Sequence, residues 1–232
     1  HQDCALRACD QGSMLKRLIR GVSHKHNKVA SFMAKPFADE VGNGMHIHFS
    51  LLDDSGKNVF DNGTAEGSQY LSHAVAGCLE TMADSMAIFA PNINSFRRMV
   101  PGCYAPLTAN WGYENRTTSI RIPGGDHKAM RIEHRVAGAD ANPYLTVAAM
   151  LAGALYGIER KLEPTKAIVG DAGDLEPTLP HFWNDAIEIF EESSFIREYL
   201  GLDLQTNYAL CKRQEKNEFD SKVTLMEYDA YL

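Results

Sequence analysis

The most informative stretch of the sequence is Val41-Gly-Asn-Gly-Met-His-Ile-His-Phe-Ser50, in which a predicted turn with two glycines leads into a run of alternating polar and apolar residues. Alternate side chains of a β-strand share a face. The two faces of the predicted strand are formed by His46, His48 and Ser50 on one side and by Met45, Ile47 and Phe49 on the other. Two imidazoles and a hydroxyl on one face are typical of the floor of a polar site. The solvated face of an ordinary strand would show the same pattern.

The composition is that of a globular protein with no general affinity for nucleic acid. Its 232 residues are 44% hydrophobic and 23% charged, which is ordinary for a soluble domain. The net charge of −7 argues against a nucleic-acid partner. The sequence has no apolar run of membrane-spanning length, and its five cysteines form no CxxC pair. We therefore expect a cytoplasmic protein with reduced thiols and no membrane partner.

Hydrophobic periodicity predicts the helices and strands. The predicted helices cover residues 3–27 (with a break near Gly12), 70–89, 142–161, 181–190, 195–200 and 208–231. The predicted strands cover residues 29–35, 117–123 and 130–136, and a hairpin is predicted over residues 45–60. Asn142 is the expected N-cap of its helix, with Pro143 at the first helical position. These elements indicate a single mixed α/β domain.

Two later strands also have one polar face. Ser119 and Arg121 share a face of the strand at 117–123, and Arg131, Glu133 and Arg135 share a face of the strand at 130–136. If these strands and the strand around His46 belong to one sheet, two histidines, a glutamate and three arginines line one site.

The chemistry of these groups suits phosphate and carboxylate recognition, because a guanidinium binds both anions bidentately. His46 and Glu133 are acceptable ligands of Mg²⁺ or Mn²⁺ but are too few to hold a metal alone. Metal and arginines together are typical of phosphoryl transfer, and no Walker-type glycine loop is present. Each arginine taken singly is explained as well by an ordinary ion pair, so the interpretation depends on their clustering.

Residues 35–50 resemble the ATP-binding signature of the glutamine synthetase family. Later blocks resemble that family in the same order: Asn94-Ser-Phe-Arg-Arg-Met-Val-Pro-Gly102, Asn115-Arg116, Ser119-Ile-Arg-Ile-Pro123, Arg131-Ile-Glu-His-Arg135 and Asn142-Pro-Tyr-Leu145. The resemblance implies an α/β (α+β) fold in which an antiparallel sheet lines the active site and helices pack on its outer side. It also implies a homo-oligomeric ligase that joins glutamate to ammonia or an amine through γ-glutamyl phosphate, using ATP and Mg²⁺ or Mn²⁺.

The resemblance assigns roles to the residues at matching positions. The sets are the metal ligands His46 and Glu133; the ATP contacts His48, Ser50, Arg116, Arg121 and Lys128; the glutamate contacts Gly42, Arg98 and Arg135; and the catalytic residues Arg98, Arg116 and Tyr104.

Two positions depart from glutamine synthetases proper. Tyr104 stands where they have a glutamate that binds and deprotonates ammonium, and Val41 stands where they often have asparagine. A phenol, with an ordinary pKa near 10, performs that deprotonation poorly. The departures favour the branch of γ-glutamylpolyamine (putrescine) synthetases. Glutamine synthesis from ammonia is an alternative, and a family member retired to a structural or regulatory role is another.

The resemblance also places the chain within a longer protein. Residues 1–232 correspond to the C-terminal portion of the catalytic domain, and the sequence begins with histidine rather than methionine. The family's remaining carboxylate metal ligands and its small N-terminal β-grasp domain are expected upstream of His1. The chain alone is therefore expected to be inactive and to bind Mn²⁺ or ATP weakly.

Overall fold

The computed structural model describes residues 4–232. Its helices are α1 (Ala5–Lys25), α2 (Gln69–Glu80), α3 (Met86–Phe89), α4 (Ile93–Phe96), α5 (Pro143–Arg160), α6 (Trp183–Glu192), α7 (Ser194–Leu200), α8 (Leu202–Asp220) and α9 (Leu225–Tyr231). Its strands are β1 (Ile47–Phe49), β2 (Trp111–Tyr113), β3 (Ile120–Ile122) and β4 (Ile132–His134), with a short 3₁₀ helix, His127–Ala129, before β4. The mixed α/β class is confirmed.

The four strands form one sheet in the order β1-β4-β3-β2. Strand β4 is antiparallel to both of its neighbours, and the register places Glu133 opposite His48 on one side and opposite Arg121 on the other. The sheet is not wholly antiparallel, because β2 pairs with β3 in parallel. Strand β2 was not predicted, since a three-residue Trp-Gly-Tyr segment is too short to show alternation.

The core lies between the apolar face of the sheet and the helices. Ile120, Ile122 and Ile132 are almost completely buried, and the ring of Phe89 in α3 lies 4.6 Å from the ring of His134 in β4. Helices α2 and α5 pack together through glycines: a Cβ on Gly157 would lie 2.6 Å from the backbone nitrogen of Gly77. Burial of this apolar surface is the main force that holds the polar face of the sheet in place.

The helices differ from the predictions at three points. Helix α1 continues through Gly12 without the predicted break, because an interior glycine costs a helix only about 1 kcal/mol. The predicted helix at 70–89 is interrupted between α2 and α3, where the Ser85 hydroxyl donates to the Thr81 carbonyl and competes with helical hydrogen bonds. The predicted helix at 208–231 begins earlier, at Leu202, and is interrupted at residues 221–224.

The Asn142 cap is confirmed, since its side chain accepts hydrogen bonds from the nitrogens of Tyr144 and Leu145. Within residues 4–232, none of the helices combines the length and the apolar character that crossing a bilayer requires.

The strand predicted at residues 29–35 is wrong. At its end, the Lys35 backbone nitrogen donates to the Asn94 side chain at 2.9 Å, and the Asn43 nitrogen donates to the Ala34 carbonyl at 2.8 Å. Side chains and a loop thus take hydrogen bonds that a neighbouring strand would otherwise make. The hairpin predicted at 45–60 is confirmed at its tip, where Leu52 and Asn58 form an antiparallel bridge, but its first arm forms its ladder with β4.

Candidate active site

Glu133 lies at the centre of an ion-pair cluster on the polar face of the sheet. Its Oε2 accepts a hydrogen bond from Arg121 Nη1 at 2.7 Å, and its Oε1 accepts one from Arg135 Nη1 at 2.8 Å. Arg121 faces Glu133 across the strand pair, and Arg135 follows Glu133 by two residues on the same face. The Glu133 side chain is only 4% exposed. Burial by itself would raise its pKa, but the two guanidinium groups outweigh burial and lower the pKa.

The two histidines of β1 and its N-terminal flank complete this cluster. His46 Nδ1 lies 3.2 Å from Glu133 Oε1, and His48 Nε2 lies 3.7 Å from the same oxygen. The Nδ1 atom of His48 accepts a hydrogen bond from Arg131 Nε at 3.2 Å. Burial lowers the pKa of both imidazoles, and the neighbouring arginines lower it further. Neutral imidazoles retain a nitrogen lone pair, so both side chains are able to accept a hydrogen bond or bind a metal.

The predicted alternation around β1 is confirmed. His46, His48 and Ser50 are exposed, whereas Met45, Ile47 and Phe49 are half-buried against the core. Ser50 Oγ donates to the Met130 carbonyl at 3.0 Å, next to the 3₁₀ helix that carries Lys128. The Lys128 side chain is exposed. Ser50 and Lys128 thus lie at the end of the polar face where the chain enters β4.

Arg98 reaches the site from the helix side. Its side chain is buried, Nη1 donates to the Val136 carbonyl at 2.7 Å, and burial lowers its pKa. A Cβ on Gly42 would lie 2.9 Å from Arg98 Cγ, and a Cβ on Gly44 would lie 3.0 Å from Arg98 Nη2 and 3.4 Å from His46 Nε2. Gly42 and Gly44 therefore let the backbone pass directly over the Arg98 side chain, and Gly44 leaves room for that side chain beside His46.

Arg98 is positioned by residues that the sequence did not single out. The residue follows the short helix α4, whose N-cap Asn92 forms a capping box with Ser95. Both of these side chains also donate to Asp140 Oδ2, at 2.9 Å from Asn92 and 2.6 Å from Ser95. Asp140 thereby ties α4 to the segment after β4. A lone aspartate in a loop carries no sequence signal for such a role.

Arg116 and Tyr104, like Ser50 and Lys128, lie outside this buried cluster. The side chain of Arg116 is exposed, although its backbone carbonyl accepts a hydrogen bond from Arg135 Nη2 at 2.7 Å. Tyr104 is 85% exposed and has a positive φ of 54° in the loop after α4. Next to Tyr104, Lys35 Nζ donates to Cys103 Sγ at 3.2 Å, which ties this loop to the segment that precedes the Val41–Ser50 stretch.

Glu114 is a further site residue that the sequence did not identify. Its Oε1 accepts a hydrogen bond from Arg121 Nη2 at 3.0 Å and a second one from the Gly124 nitrogen. The Gly124 hydrogen bond, together with Arg121, lowers the pKa of Glu114. Glu114 lines two clefts, of about 270 Å³ and 440 Å³. The cluster is therefore continuous with open surface through Glu114.

The described residues do not form a complete site for a divalent metal. His46, His48 and Glu133 bring two imidazoles and a carboxylate together, but both oxygens of Glu133 are bonded to arginines. Within residues 4–232, no group of three or more His, Cys, Asp or Glu side chains is arranged to hold a metal. Mg²⁺ and Mn²⁺ prefer several hard oxygen ligands. This part of the chain therefore offers a partial donor set.

Known proteins resemble the chain over its whole length. Residues 1–231 match the family described as "Glutamine synthetase, catalytic domain". The chain is 43% identical over 233 residues to gamma-glutamylputrescine synthetase PuuA of Escherichia coli (strain K12), covering 100% of this chain and 49% of that protein. It is 37% identical over 236 residues to glutamate--isopropylamine ligase of Pseudomonas sp, covering 99% of this chain and 51% of that protein.

The fold is also matched by a solved structure described as "Apo GmaS without ligand". The TM-score is 0.89 at 31% sequence identity, over 98% of this chain and 53% of that chain. The chain spans about half the length of the curated relatives it matches. The family match includes every residue of the cluster around Glu133, from His46 to Arg135, and on this evidence the chain belongs to the glutamine synthetase family.

Proposed function

We propose that the chain is part of an ATP-dependent ligase that joins the γ-carboxylate of glutamate to an amine through γ-glutamyl phosphate. The observation that carries the proposal is the cluster of arginines around one buried glutamate on the polar face of the sheet. ATP and glutamate are both anions that guanidinium groups recognise, and phosphoryl transfer depends mainly on positioning and charge neutralisation. Membership of the glutamine synthetase family supports the same reaction class.

In this proposal ATP and glutamate are bound by two different sets of residues. ATP is bound by Arg116, Arg121, Lys128, His48 and Ser50, and glutamate is bound by Arg98, Gly42 and Arg135. The close approach of Gly42 and Gly44 to Arg98 supports its assignment, since the turn that carries them lies directly against its side chain. Arg135 bridges Glu133 and the backbone of Arg116, so it joins the two substrate regions.

The arginines also carry the chemical step. As the phosphoryl group passes to glutamate, charge builds up on its oxygens, and fixed guanidinium groups stabilise that charge without having to reorganise. Arg98 and Arg116 are the proposed catalytic residues of this step. Arg121 and Arg135 are held rigid by Glu133 before any ligand arrives.

A divalent metal is proposed as the cofactor, with His46 and Glu133 as two of its ligands. When bound, Mg²⁺ or Mn²⁺ supplies further neutralisation of phosphate charge. The neutral imidazole of His46 and its 3.2 Å approach to Glu133 support this pairing. The other ligands have to come from beyond the partial donor set described above.

The acceptor is proposed to be an alkylamine rather than ammonia. Support comes from Tyr104, an exposed phenol where glutamine synthetases proper carry a carboxylate, and from two relatives whose names specify putrescine and isopropylamine. A phenol forms a weaker attachment for an ammonium ion than a carboxylate does, whereas an alkylamine also gains affinity by burying its chain. Glutamine synthesis is the second candidate, because the family takes its name from it.

An amine panel tests the proposal. The full-length protein that carries this chain is assayed for ATP-dependent phosphate release with glutamate and, in turn, ammonia, ethylamine, isopropylamine and putrescine. We expect kcat/KM for the best alkylamine to exceed that for ammonia by at least about tenfold, which corresponds to about 1.4 kcal/mol of transition-state binding. A preference for ammonia would establish glutamine synthesis instead. Absence of glutamate-dependent phosphate release with every acceptor would refute the ligase.

The active protein is further proposed to be a homo-oligomer that contains more than these 232 residues. The incomplete metal donor set among residues 4–232 supports the need for further residues, which predicts that the isolated chain lacks ligase activity. Glutamate- and amine-dependent phosphate release by the purified chain alone would contradict it.

A further inference from the structure

Two carboxylates hold the guanidinium of Arg121, and only that of Glu133 belongs to the buried cluster. Glu133 binds Nη1 from within the sheet, and Glu114 binds Nη2 from the rim of the site, where its side chain is 60% exposed. The Nε atom of Arg121 is buried and has no hydrogen-bond partner. The plane of the guanidinium is therefore held through its two Nη atoms, and without Glu114 a single carboxylate would hold it.

The backbone at Glu114 is strained in a way that this contact explains. Its φ of 50° lies in the left-handed region, which side chains other than glycine, asparagine and aspartate seldom adopt. Such strain persists where the surrounding structure over-determines it, and it clusters at functional sites. Directly after β2, this conformation carries the Glu114 carboxylate to Arg121 on the neighbouring strand β3.

Gly124 provides the second fixed point for Glu114. Its backbone nitrogen donates to the same Oε1 that binds Arg121. A Cβ at this position would lie 3.1 Å from Glu114 Cγ and 3.2 Å from Glu114 Cδ. Gly124 has no left-handed backbone conformation, so an alanine there would displace Glu114 without straining its own backbone.

We propose that Glu114 is a positioning residue that fixes the guanidinium plane of Arg121 for the phosphates of ATP. The inference rests on the proposed function, because it takes Arg121 as an ATP contact. A long side chain that is free to rotate loses conformational entropy when it binds, and one that is already clamped loses less. Glu114 therefore acts on ATP affinity through Arg121 and touches neither substrate itself.

The test compares Glu114→Gly with Glu114→Gln in the full-length protein. Glycine removes the carboxylate and relieves the positive φ, so we expect the unfolding temperature not to fall while the KM and Kd for ATP rise about tenfold, the loss expected for one charge-assisted hydrogen bond. We expect kcat to change less than about twofold, because ground-state binding is what is lost. Glutamine keeps an acceptor for Arg121 and should restore most of the affinity.

Two further variants separate geometry from charge. Gly124→Ala leaves every charge in place but displaces Glu114, so it should raise the Kd for ATP by an intermediate factor and add little to Glu114→Gly in the double variant. Glu66 lines the cleft of about 270 Å³ that Glu114 also lines. Glu66→Ala removes one negative charge there without removing a contact of Arg121, and it should leave the Kd for ATP unchanged.

The possible outcomes distinguish the inference from the function on which it rests. Wild-type ATP affinity in Glu114→Gly overturns the inference alone. Tighter ATP binding in both Glu114 variants also overturns it, because Glu114 would then act only by repelling phosphate. If the wild-type protein binds no ATP in the same titration, the proposed function fails and takes the inference with it.

Discussion

The polar face of the sheet and the interface between α2 and α5 are both tightly packed, but by opposite means. On the sheet, a glutamate that is 4% exposed is surrounded by cationic side chains that make up for its lost hydration. Between the helices, Gly77, Gly153 and Gly157 remove side chains altogether, so that the two backbones meet. We therefore expect the first region to tolerate changes of shape better than changes of charge, and the second region to tolerate changes of charge better than changes of shape.

Two carboxylates show the difference directly. Glu133 has a lowered pKa because hydrogen bonds and charges from Arg121 and Arg135 outweigh its burial. Asp84 lies in the turn after α2, where burial raises its pKa and the Ser193 hydroxyl, 2.7 Å away, compensates only in part. At Asp84 a single hydroxyl offsets only part of the cost of burying the charge, whereas at Glu133 two guanidinium groups more than offset it.

The largest effect is expected from Gly157→Ala, at the interface between α2 and α5. The new Cβ would lie 2.6 Å from the Gly77 nitrogen, and closer still to the His73 carbonyl oxygen. Backbone atoms cannot rotate away as a side chain would, so we expect a loss of about 4 kcal/mol in the free energy of unfolding, above the usual range for overpacking. Urea unfolding measures this loss.

The matched control is Gly12→Ala in the interior of α1, where nothing lies within 4 Å of the new Cβ. The same substitution should stabilise the protein there by about 0.5–1 kcal/mol, because alanine is the better helix former. Equal effects at the two positions would show that helix propensity, and not backbone contact, governs both.

The next largest effect is expected from a substitution that removes the charge of Glu133 and keeps the shape of its side chain. Glu133→Gln retains the size of the side chain but leaves two largely buried arginines facing a neutral amide. We expect it to destabilise the protein by about 3 kcal/mol, since loss of one partner strands buried charge. Glu198→Gln breaks the exposed pair with Arg160 and should change stability by no more than about 0.5 kcal/mol. Similar losses in both variants would refute the contrast between buried and exposed pairs.

The sequence predicts the charged residues on the sheet better than it predicts the contacts that hold those residues in place. Alternation with a period of two was sufficient to put His46 and His48 on one face of their strand and to put Arg121 and Glu133 on the polar faces of theirs, because each segment contains enough residues to show the period. That these strands are neighbours in one sheet was an assumption, which the strand order confirms. The family blocks then pointed to the same residues, and their individual roles in catalysis stay predictions.

Contacts that depend on backbone conformation or distant partners were not predictable. Glu114 reaches Arg121 because of a positive φ that its residue type does not favour. Asp140 supports Arg98 through Asn92 and Ser95, more than 40 residues away in the chain. The segment at 29–35 has the composition of a strand, but a strand forms only where a neighbour supplies its hydrogen bonds.

The smallest effect concerns the charge on the helical side, tested with Asp84→Asn. The folded protein holds the Asp84 pKa above its ordinary value, so the carboxyl favours folding at acidic pH, and this contribution is lost as pH rises through the folded pKa. Asparagine still accepts the Ser193 hydrogen bond, and we expect a small rise in unfolding temperature at pH 7 that vanishes below about pH 4.

Asp53→Asn should have the opposite sign, because hydrogen bonds led by that from the Ser55 hydroxyl lower the Asp53 pKa. This carboxylate stabilises the fold above its unfolded pKa, and its contribution fades as pH falls. Thermal melts of the two variants between pH 3 and 7 should therefore diverge from the wild-type curve in opposite directions as pH rises. Parallel curves would mean that the helical side accommodates a charge as readily as an exposed turn does.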